Sequence, residues 1–295
     1  MPTHLLRNPA SGRGRTGDAT SDLLAKIGEI GVELVDLTGV TADDSSARLR
    51  DAISHGEIEH LVIAGGDGLV NLAIQEVAQT GIDVSILPVG TGNDFASALG
   101  LSLDGLGRTS WPYIAATPVD LLRITAESKD RPKWVASIAI AGFPAAINAR
   151  ANDIRLPLGS QVYTLAALLE LPRFHRLALS FDLDGEPFDT DSAMLAVGNT
   201  RFFGGGMLAC PDAHYDDGLA HLTSIDGVGR LTLLKHLQGR TGGTADHDEV
   251  KRQFARSVEL RTPQVDVWGD GEFIATSPLT IECVPGALQV RGVVH

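Results

Sequence analysis

The sequence predicts two domains of different class. An α/β domain with a doubly wound parallel sheet covers residues 1–125, and a β-rich, antiparallel sandwich-like domain covers 126–295, its last strand being able to return to the first domain. Three observations carry the prediction. Up to about residue 125, apolar runs of strand length alternate with helical patterns, the rhythm of parallel βα units. Two of those runs break into glycine turns, Gly65-Gly66-Asp67-Gly68 and Gly90-Thr91-Gly92-Asn93-Asp94, each followed by a helical pattern. Beyond that point the rhythm changes to short β-like runs separated by turns, as antiparallel sheets require.

His4 to Arg7 is the first strand, and the loop from Asn8 to Gly17 leads into a helix through Leu23, Leu24 and Ile27. Val32 to Leu37 is the second strand, Asp43 to Ser54 a helix, Glu59 to Ala64 the third strand, and Leu69 to Gln79 the helix after the first glycine turn. The fourth strand, Val84 to Pro88, opens onto the second glycine turn, with a helix from Phe95; Pro118 to Thr125 makes a further strand. In the second half the strand-like runs are Trp134 to Ala141, Arg176 to Leu183, Ala193 to Val197, Leu219 to Ser224, Ser257 to Arg261, Val265 to Trp268, Leu279 to Val284 and Leu288 to Val290. Helices are expected around Gln161 to Leu171 and Leu231 to Leu237, and Gly239 to Asp248 reads as a mobile loop.

The totals exclude several classes of function. With 295 residues, 43% of them apolar, the chain has material for two cores. A formal charge of −13, with a pI near 5.0, argues against binding nucleic acid and against retention on anionic lipid by bulk charge. Cys210 and Cys283 have no ligand spacing, so neither a disulfide framework nor a zinc site is expected, and a reducing cytoplasm is the natural setting. No signal peptide is visible. The longest nearly apolar run, Trp134 to Ile147, is interrupted by Ser137, Gly142 and Pro144 and falls short of a membrane span, so any membrane contact should be peripheral.

Chemistry gathers at the glycine turns. Ligands of doubly wound sheets bind at the C-terminal strand ends, and both turns lie there. Glycines admit an anion to bare backbone N–H groups, the following helix N-terminus adds partial positive charge, and a carboxylate in such a place points to a metal ion. Read singly, Asp67, Thr91, Asn93 and Asp94 are turn or cap residues. Read together, and joined by Asp120 from the next strand, they suggest a magnesium-nucleotide site, because several carboxylates in one crevice repel one another unless a divalent cation shares it. No Gly-Lys pair occurs, which excludes a Walker A loop.

A GxGxxG at Gly12, Gly14 and Gly17, with Asp36 at the spacing of a dinucleotide fingerprint, offers a rival reading. Asn8 to Ser11 intervene between the strand and the first glycine, and Arg13 and Arg15 suit phosphate oxygens better than a tightly packed turn. Two further turns leave their alternatives open. Asp212-Ala213-His214-Tyr215-Asp216-Asp217-Gly218-Leu219 is an acidic hairpin turn or a hard-cation site using Asp217, and the residue chemistry alone favours the turn. Asp270-Gly271-Glu272 is a hairpin turn or the source of a base for an acceptor hydroxyl.

Asn8-Pro9-x-Ser11-Gly12, Gly65-Gly66-Asp67-Gly68, Pro88-x-Gly90-Thr91-Gly92-Asn93-Asp94-Phe95, Gly204-Gly205-Gly206-Met207, Asp217-Gly218-Leu219 and Asp270-Gly271-Glu272 occur in that order. Over nearly the whole chain this resembles the diacylglycerol kinase and sphingosine kinase-like lipid kinases, most closely their bacterial soluble branch. The resemblance implies an N-terminal nucleotide-binding domain, with ATP and Mg2+ in a cleft between it and the β-rich domain, which takes the lipid. By that likeness Asn8, Pro9, Ala10, Ser11, Gly12, Thr38, Gly66, Asp67, Gly68, Leu69, Val70, Asn71 and Thr91 line the ATP site. Asp67, Asp94 and Asp120 organise the catalytic magnesium with help from Glu272, and Asp270 is the general base. The likeness also raises Asp217, with the carbonyls of His214 and Leu219, to a second, structural magnesium site. The implied partners are ATP, a lipid alcohol and, transiently, the membrane surface, with no nucleic acid; a homodimer is left open.

The sequence departs from the family pattern where Leu69 stands for threonine and Leu72 for glutamate. Glu76 lies one helical turn beyond Leu72, its carboxylate displaced by about 6 Å at 1.5 Å rise per residue. The departures motivate an alternative reading as a catalytically silent nucleotide or lipid sensor. An NAD kinase-like or NAD-dependent enzyme is the remaining alternative. Tyr163 to Phe174, with Phe202 and Phe203 beside Arg201, is an expected acyl or bilayer contact, against a bland reading as core.

Overall fold

The computed structural model describes residues 3–7, 33–102, 114–154, 161–230, 232 and 248–294. It divides into two compact units, Met1–Leu121 with Pro285–His295, and Leu122–Val284. All but residue 232 of the expected helix at 231–237, nearly all of the expected mobile loop at 239–248, the Asn8 to Gly17 loop and the expected helix through Leu23, Leu24 and Ile27 lie outside the described residues.

The first unit is α/β. Its strands β1 (Thr3–Arg7), β2 (Leu34–Asp36), β3 (His60–Gly65) and β4 (Asp83–Pro88) are parallel in the order β2-β1-β3-β4. The strands between helical layers are buried on both faces, so β3 reads as a continuous apolar run, with Leu61, Val62, Ile63 and Ala64 at 0% exposure. Helix α1 (Ala42–Ser54) starts at Thr41, whose hydroxyl accepts the Asp44 N–H, an N-cap of the usual kind. Helix α2 (Asp67–Val77) packs Val70, Ala73, Ile74 and Val77 inward, and the five-residue helix α3 (Asp94–Ala98) follows β4. Register sets the functional geometry: Gly65 of β3 pairs with Pro88 of β4, so the two glycine turns leave the sheet side by side.

Two strands run through both units. β5 (Ala116–Ala126) leaves the first, and β17 (Leu279–Arg291) is a single strand where two short runs were expected. Its end pairs parallel with β4 through Gln289–Asp83 and Val290–Val84, and Arg291 clamps Asp83 with two N–H donors at 2.9 and 2.7 Å.

The second unit is antiparallel: β6 (Lys133–Val135), β7 (Ile138–Gly142), β8 (Leu177–Leu183), β9 (Glu186–Gly198), β12 (Ala220–Asp226), β13 (Val250–Ala255), β14 (Ser257–Leu260), β15 (Asp266–Gly269) and β16 (Glu272–Thr276). β9 pairs with β8 through its first half and lies between β7 and β12 through its second. Alternate residues of β7 and β9 feed two cores. Ala139, Ala141, Leu195 and Val197 face one, while Ile138, Ile140, Met194 and Ala196 face the other. Helices α4 (Phe143–Asp153) and α5 (Gln161–Glu170), with a 3-10 turn at Leu171–Arg173, cover the second core.

Several elements differ from the sequence expectation. Trp134 to Ala141 is two strands broken at Ala136 and Ser137, because the N–H groups of those residues go to a side chain instead of a ladder. α4 was not expected; its signal is Pro144 in the first turn, where proline is favoured. The small hairpin of β10 (Phe202–Phe203) and β11 (Met207–Leu208), and strands β13 and β16, were also missed.

Candidate active site

In the first unit the two glycine turns touch through backbone. A Cβ built on Gly90 falls 2.4 Å from Gly66 Cα and 3.0 Å from Gly66 N, so neither turn tolerates a side chain at this crossing. A Cβ on Gly92 would meet Asp67, whose Oδ2 lies 2.7 Å away, so a side chain there would displace that carboxylate. Asn93 holds the second turn from inside, at a left-handed φ of 58° that asparagine accepts. Its Oδ1 accepts the Gly90 N–H at 3.1 Å, and its Nδ2 donates to the Gly90 and Pro88 carbonyls at 2.9 and 3.3 Å.

Asp67 ties the two turns together. It occupies the first turn of α2, and its Oδ1 accepts the N–H of Phe95, the residue after Asp94, at 3.3 Å. Asp67 and Asp94 are therefore brought to one neighbourhood, both half-buried and both at helix N-termini, where negative charge is favoured. The N–H groups of Asp67 and Gly68 precede the first intrahelical bonds of α2, which run from Leu69 and Val70 to the Gly66 carbonyl. A Cβ on Gly68 meets open space among the described residues, so the glycine there answers no packing need among them. Oxygen donors at the mouth of a bare-backbone turn suit a hard cation and phosphate oxygens.

Asp120 is a correction. Its Oδ1 accepts the Gly286 N–H at 2.8 Å, and the neighbouring Ala287 carbonyl accepts the Gln79 N–H at 2.7 Å. Gln79 follows the C-terminal end of α2 and Asp67 sits at its N-terminal end, which separates the two by about 16 Å of helix. The parallel β17–β4 register puts Asp120 at the opposite edge of the sheet from the glycine turns, so it does not join Asp67 and Asp94.

Thr38 lies at the glycine-turn edge. Its hydroxyl accepts the N–H of Arg7, the last residue of β1, at 3.0 Å, and its own N–H donates to Asp36 Oδ1 at 2.9 Å. Burial pushes the Asp36 carboxyl up, but hydrogen bonds from Thr38 and the Arg7 guanidinium outweigh it and hold the group below the usual carboxylate range. An Asp36 already paired with Arg7 at 2.9 Å is poorly placed to take a ribose hydroxyl, which counts against the dinucleotide reading. Asn8, Pro9, Ala10, Ser11 and Gly12 lie outside the described residues. Leu69 folds back over the strand end, where a Cβ on Gly65 would meet it at 2.6 Å; Val70 is core, Asn71 is half-buried, and Thr91 is exposed. Glu76 does not stand in at Leu72: Arg50 of α1 grips both its oxygens, at 3.0 and 2.5 Å.

In the second unit Asp270-Gly271 is the two-residue turn of the β15–β16 hairpin, with Gly269 opposite Glu272. Both turn residues have positive φ, 49° and 86°, the signature of a type I′ turn. The Asp270 carboxylate folds back and accepts the N–H of Ala136 at 2.7 Å on one oxygen and of Ser137 at 2.9 Å on the other. Glu272, two residues on, is exposed. Sequence reasoning missed the group that supports this turn. Asn199, fully buried, donates from Nδ2 to the Ala136 carbonyl at 2.9 Å and from its backbone to Ser137 at 2.8 Å, and Asn152 of α4 reaches the Gly271 carbonyl at 3.3 Å. A buried asparagine after an apolar strand was the available signal.

The 212–219 turn is built around Asp217. Its Oδ1 accepts the Leu219 N–H at 3.0 Å and its Oδ2 lies 2.8 Å from His221 Nε2, while His214 is exposed. Among the described residues no group of three or more His, Cys, Asp or Glu side chains is arranged to hold a metal. A cation at Asp217 would rely on one carboxylate plus carbonyls, and would compete with His221 for it.

Comparison with known proteins extends over nearly the whole chain. Residues 2–122 match the diacylglycerol kinase catalytic domain and residues 137–292 the YegS C-terminal NAD kinase beta sandwich-like domain. A Mycobacterium tuberculosis protein named diacylglycerol kinase is 36% identical over 295 residues, covering 97% of this chain and 93% of its own. A Stenotrophomonas maltophilia protein named as a YegS-like lipid kinase is 27% identical, covering 99% and 97%. The crystal structure of a diacylglycerol kinase from Bacillus anthracis str. Sterne superposes with a TM-score of 0.72 at 17% identity, over 98% of this chain and 96% of that one, a likeness of fold.

Proposed function

The chain belongs to the diacylglycerol kinase catalytic-domain family of lipid kinases, and from that premise we propose that it transfers the γ-phosphate of ATP, with magnesium, to the hydroxyl of diacylglycerol or a related lipid alcohol. The observation that carries the reading is the contact between the two glycine turns, with Asp67 bonded to the residue after Asp94. Gly66, Gly68 and the start of α2 offer backbone N–H groups to the phosphates, with Thr38, Asn71 and Thr91 around them. Asp67 and Asp94 hold the magnesium, which when bound neutralises charge on the transferring phosphoryl group. His214, Asp217 and Leu219 remain a proposed second magnesium site, the less well supported of the two.

The acceptor side needs a base within reach of a lipid hydroxyl. Both oxygens of Asp270 already accept backbone N–H groups, so Asp270 best serves to fix the turn, and Glu272, exposed on the next strand, to take the proton. That reverses the roles suggested by resemblance alone. We place the enzyme in the cytoplasm with peripheral membrane contact; among the described residues no helix is long and apolar enough to cross a membrane.

Purified protein incubated with radiolabelled ATP, magnesium and a panel of short-chain lipid alcohols tests the proposal, with a labelled phospholipid as the expected product. The packing of Leu69 on Gly65 and the pairing of Glu76 with Arg50 favour one second reading, a silent nucleotide binder. Thermal stabilisation by ATP without any lipid product would select it.

A further inference from the structure

The solvent-facing side of α5 carries no charge. Thr164, Leu168 and Leu169 are exposed, the leucines at 61% and 46%, and Leu165 is half-buried. The one carboxylate of the helix, Glu170, is turned inward at 8% exposure, where Arg150 of α4 meets it at 2.6 Å and Arg173 at 3.8 Å. This inverts the ordinary surface helix, which buries leucine and exposes its charges. It is not a failure of packing, since Ala166 on the inner side is completely buried and Phe174, just past the helix, stacks edge-on against Phe143 of α4 at 5.4 Å.

The rim of this face is cationic. Two arginines answer one carboxylate, and the Arg173 side chain, 69% exposed, stands one turn beyond Leu169. A protein of net charge −13 is repelled as a whole by an anionic bilayer, so attachment has to come from a local cation next to apolar side chains able to enter the acyl boundary. The face is also close to the acceptor side of the site. Arg150, which holds Glu170, and Asn152, which holds the Gly271 carbonyl, are two residues apart on α4, so a single helix, about 10 Å wide, lies between the leucines and the turn that leads to Glu272.

We infer that the Leu168, Leu169 and Arg173 corner of α5 docks on an anionic lipid bilayer and brings the Asp270–Glu272 turn to lipid hydroxyls at its surface. The inference rests on the lipid kinase reading but is separable from it. Sedimentation of the full chain with phosphatidylglycerol-containing vesicles and with pure phosphatidylcholine vesicles tests it, alongside turnover of a short-chain diacylglycerol dissolved without vesicles. The wild-type protein is expected on the anionic vesicles. Leu168→Glu with Leu169→Glu should weaken binding at least about tenfold, the loss that follows from withdrawing as few as two methylene groups from the acyl boundary. Arg173→Glu should weaken binding to anionic vesicles only. Both variants should keep wild-type turnover of the dissolved substrate.

Vesicle binding unchanged in the leucine variant, or in the milder Leu168→Ser with Leu169→Ser, would overturn the inference. So would a wild-type protein that ignores vesicles, or leucine variants that change only the oligomeric state, which would make the face a contact between copies. Absence of turnover on every dissolved lipid, with vesicle binding intact and sensitive to these residues, would instead count against the proposed reaction.

Discussion

Replacing Asp270 by asparagine and, separately, Glu272 by glutamine distinguishes a residue that builds the turn from one that moves a proton. Asp270→Asn keeps the shape of the side chain, and asparagine accepts the left-handed φ of 49° as readily as aspartate does. The substitution also puts an NH2 donor against one of the two N–H groups, from Ala136 or Ser137, that the carboxylate now accepts at 2.7 and 2.9 Å. One half-buried backbone donor is left unsatisfied, at about 1–3 kcal/mol. At about 2–4 °C per kcal/mol for a domain of this size class, Tm should fall by about 2–12 °C. Glu272→Gln changes an exposed side chain, so its stability should stay within about 0.5 kcal/mol of wild type. Its kcat should fall by about 10²- to 10⁴-fold, the usual worth of a general base. Calorimetry and steady-state kinetics on a dissolved short-chain diacylglycerol supply both readouts. An Asp270→Asn protein of normal Tm and little activity, beside a fully active Glu272→Gln, would refute the assignment and return the base to Asp270.

Gly90→Ala and Gly68→Ala should separate packing from ligand binding. The first forces Gly66 backbone aside and should cost about 1–3 kcal/mol, whereas the second enters open space in a helix, should leave urea stability unchanged or raised by up to about 1 kcal/mol, and should still raise the KM for ATP. Acid should destabilise the first unit through His60, whose pKa is pushed from 6.5 down to about 4 by burial first, then by the Arg291 charge, with Asp83 opposing. The folded state then holds fewer protons than the unfolded one between those values, so stability is whole above pH 6.5 and falls by about 3 kcal/mol as the pH drops to 4. Urea melts across that window should show the slope, and His60→Gln should flatten it. Asp120→Ala should cost about 1–3 kcal/mol by orphaning the Gly286 N–H while leaving the magnesium dependence of kcat unchanged, whereas Asp67→Ala should abolish turnover at any magnesium concentration tried.

Much of the fold was readable from the chain alone, because its signals are local. The apolar run at 61–64 marks a strand buried on both faces, and the glycines at 65, 66 and 68 mark its end. Asn93 and Asp94 announce a turn and a helix start, and Asp270-Gly271 announces a two-residue hairpin, all from the conformational preferences of single residues. The pairing of Asp67 with the second turn was legible too, since strands that alternate with helices put their ends at one edge.

What stayed hidden depends on register and on backbone donors. The Gln289–Asp83 pairing, across a long sequence separation, sends Asp120 to the far edge of the sheet. The N–H groups that occupy Asp270 belong to Ala136 and Ser137, and every residue but proline has such a group, so no side-chain pattern could have named them. Leu69 and Glu76 were ambiguous until Gly65 and Arg50 were seen against them. The sequence by itself determined the two classes of domain, the glycine turns and the identity of the candidate acids, since periodicity and turn chemistry act over a few residues. Only the tertiary structure decided which acids lie together at the glycine turns and which carboxylate oxygens already accept backbone N–H groups, because those are properties of pairings between distant parts of the chain.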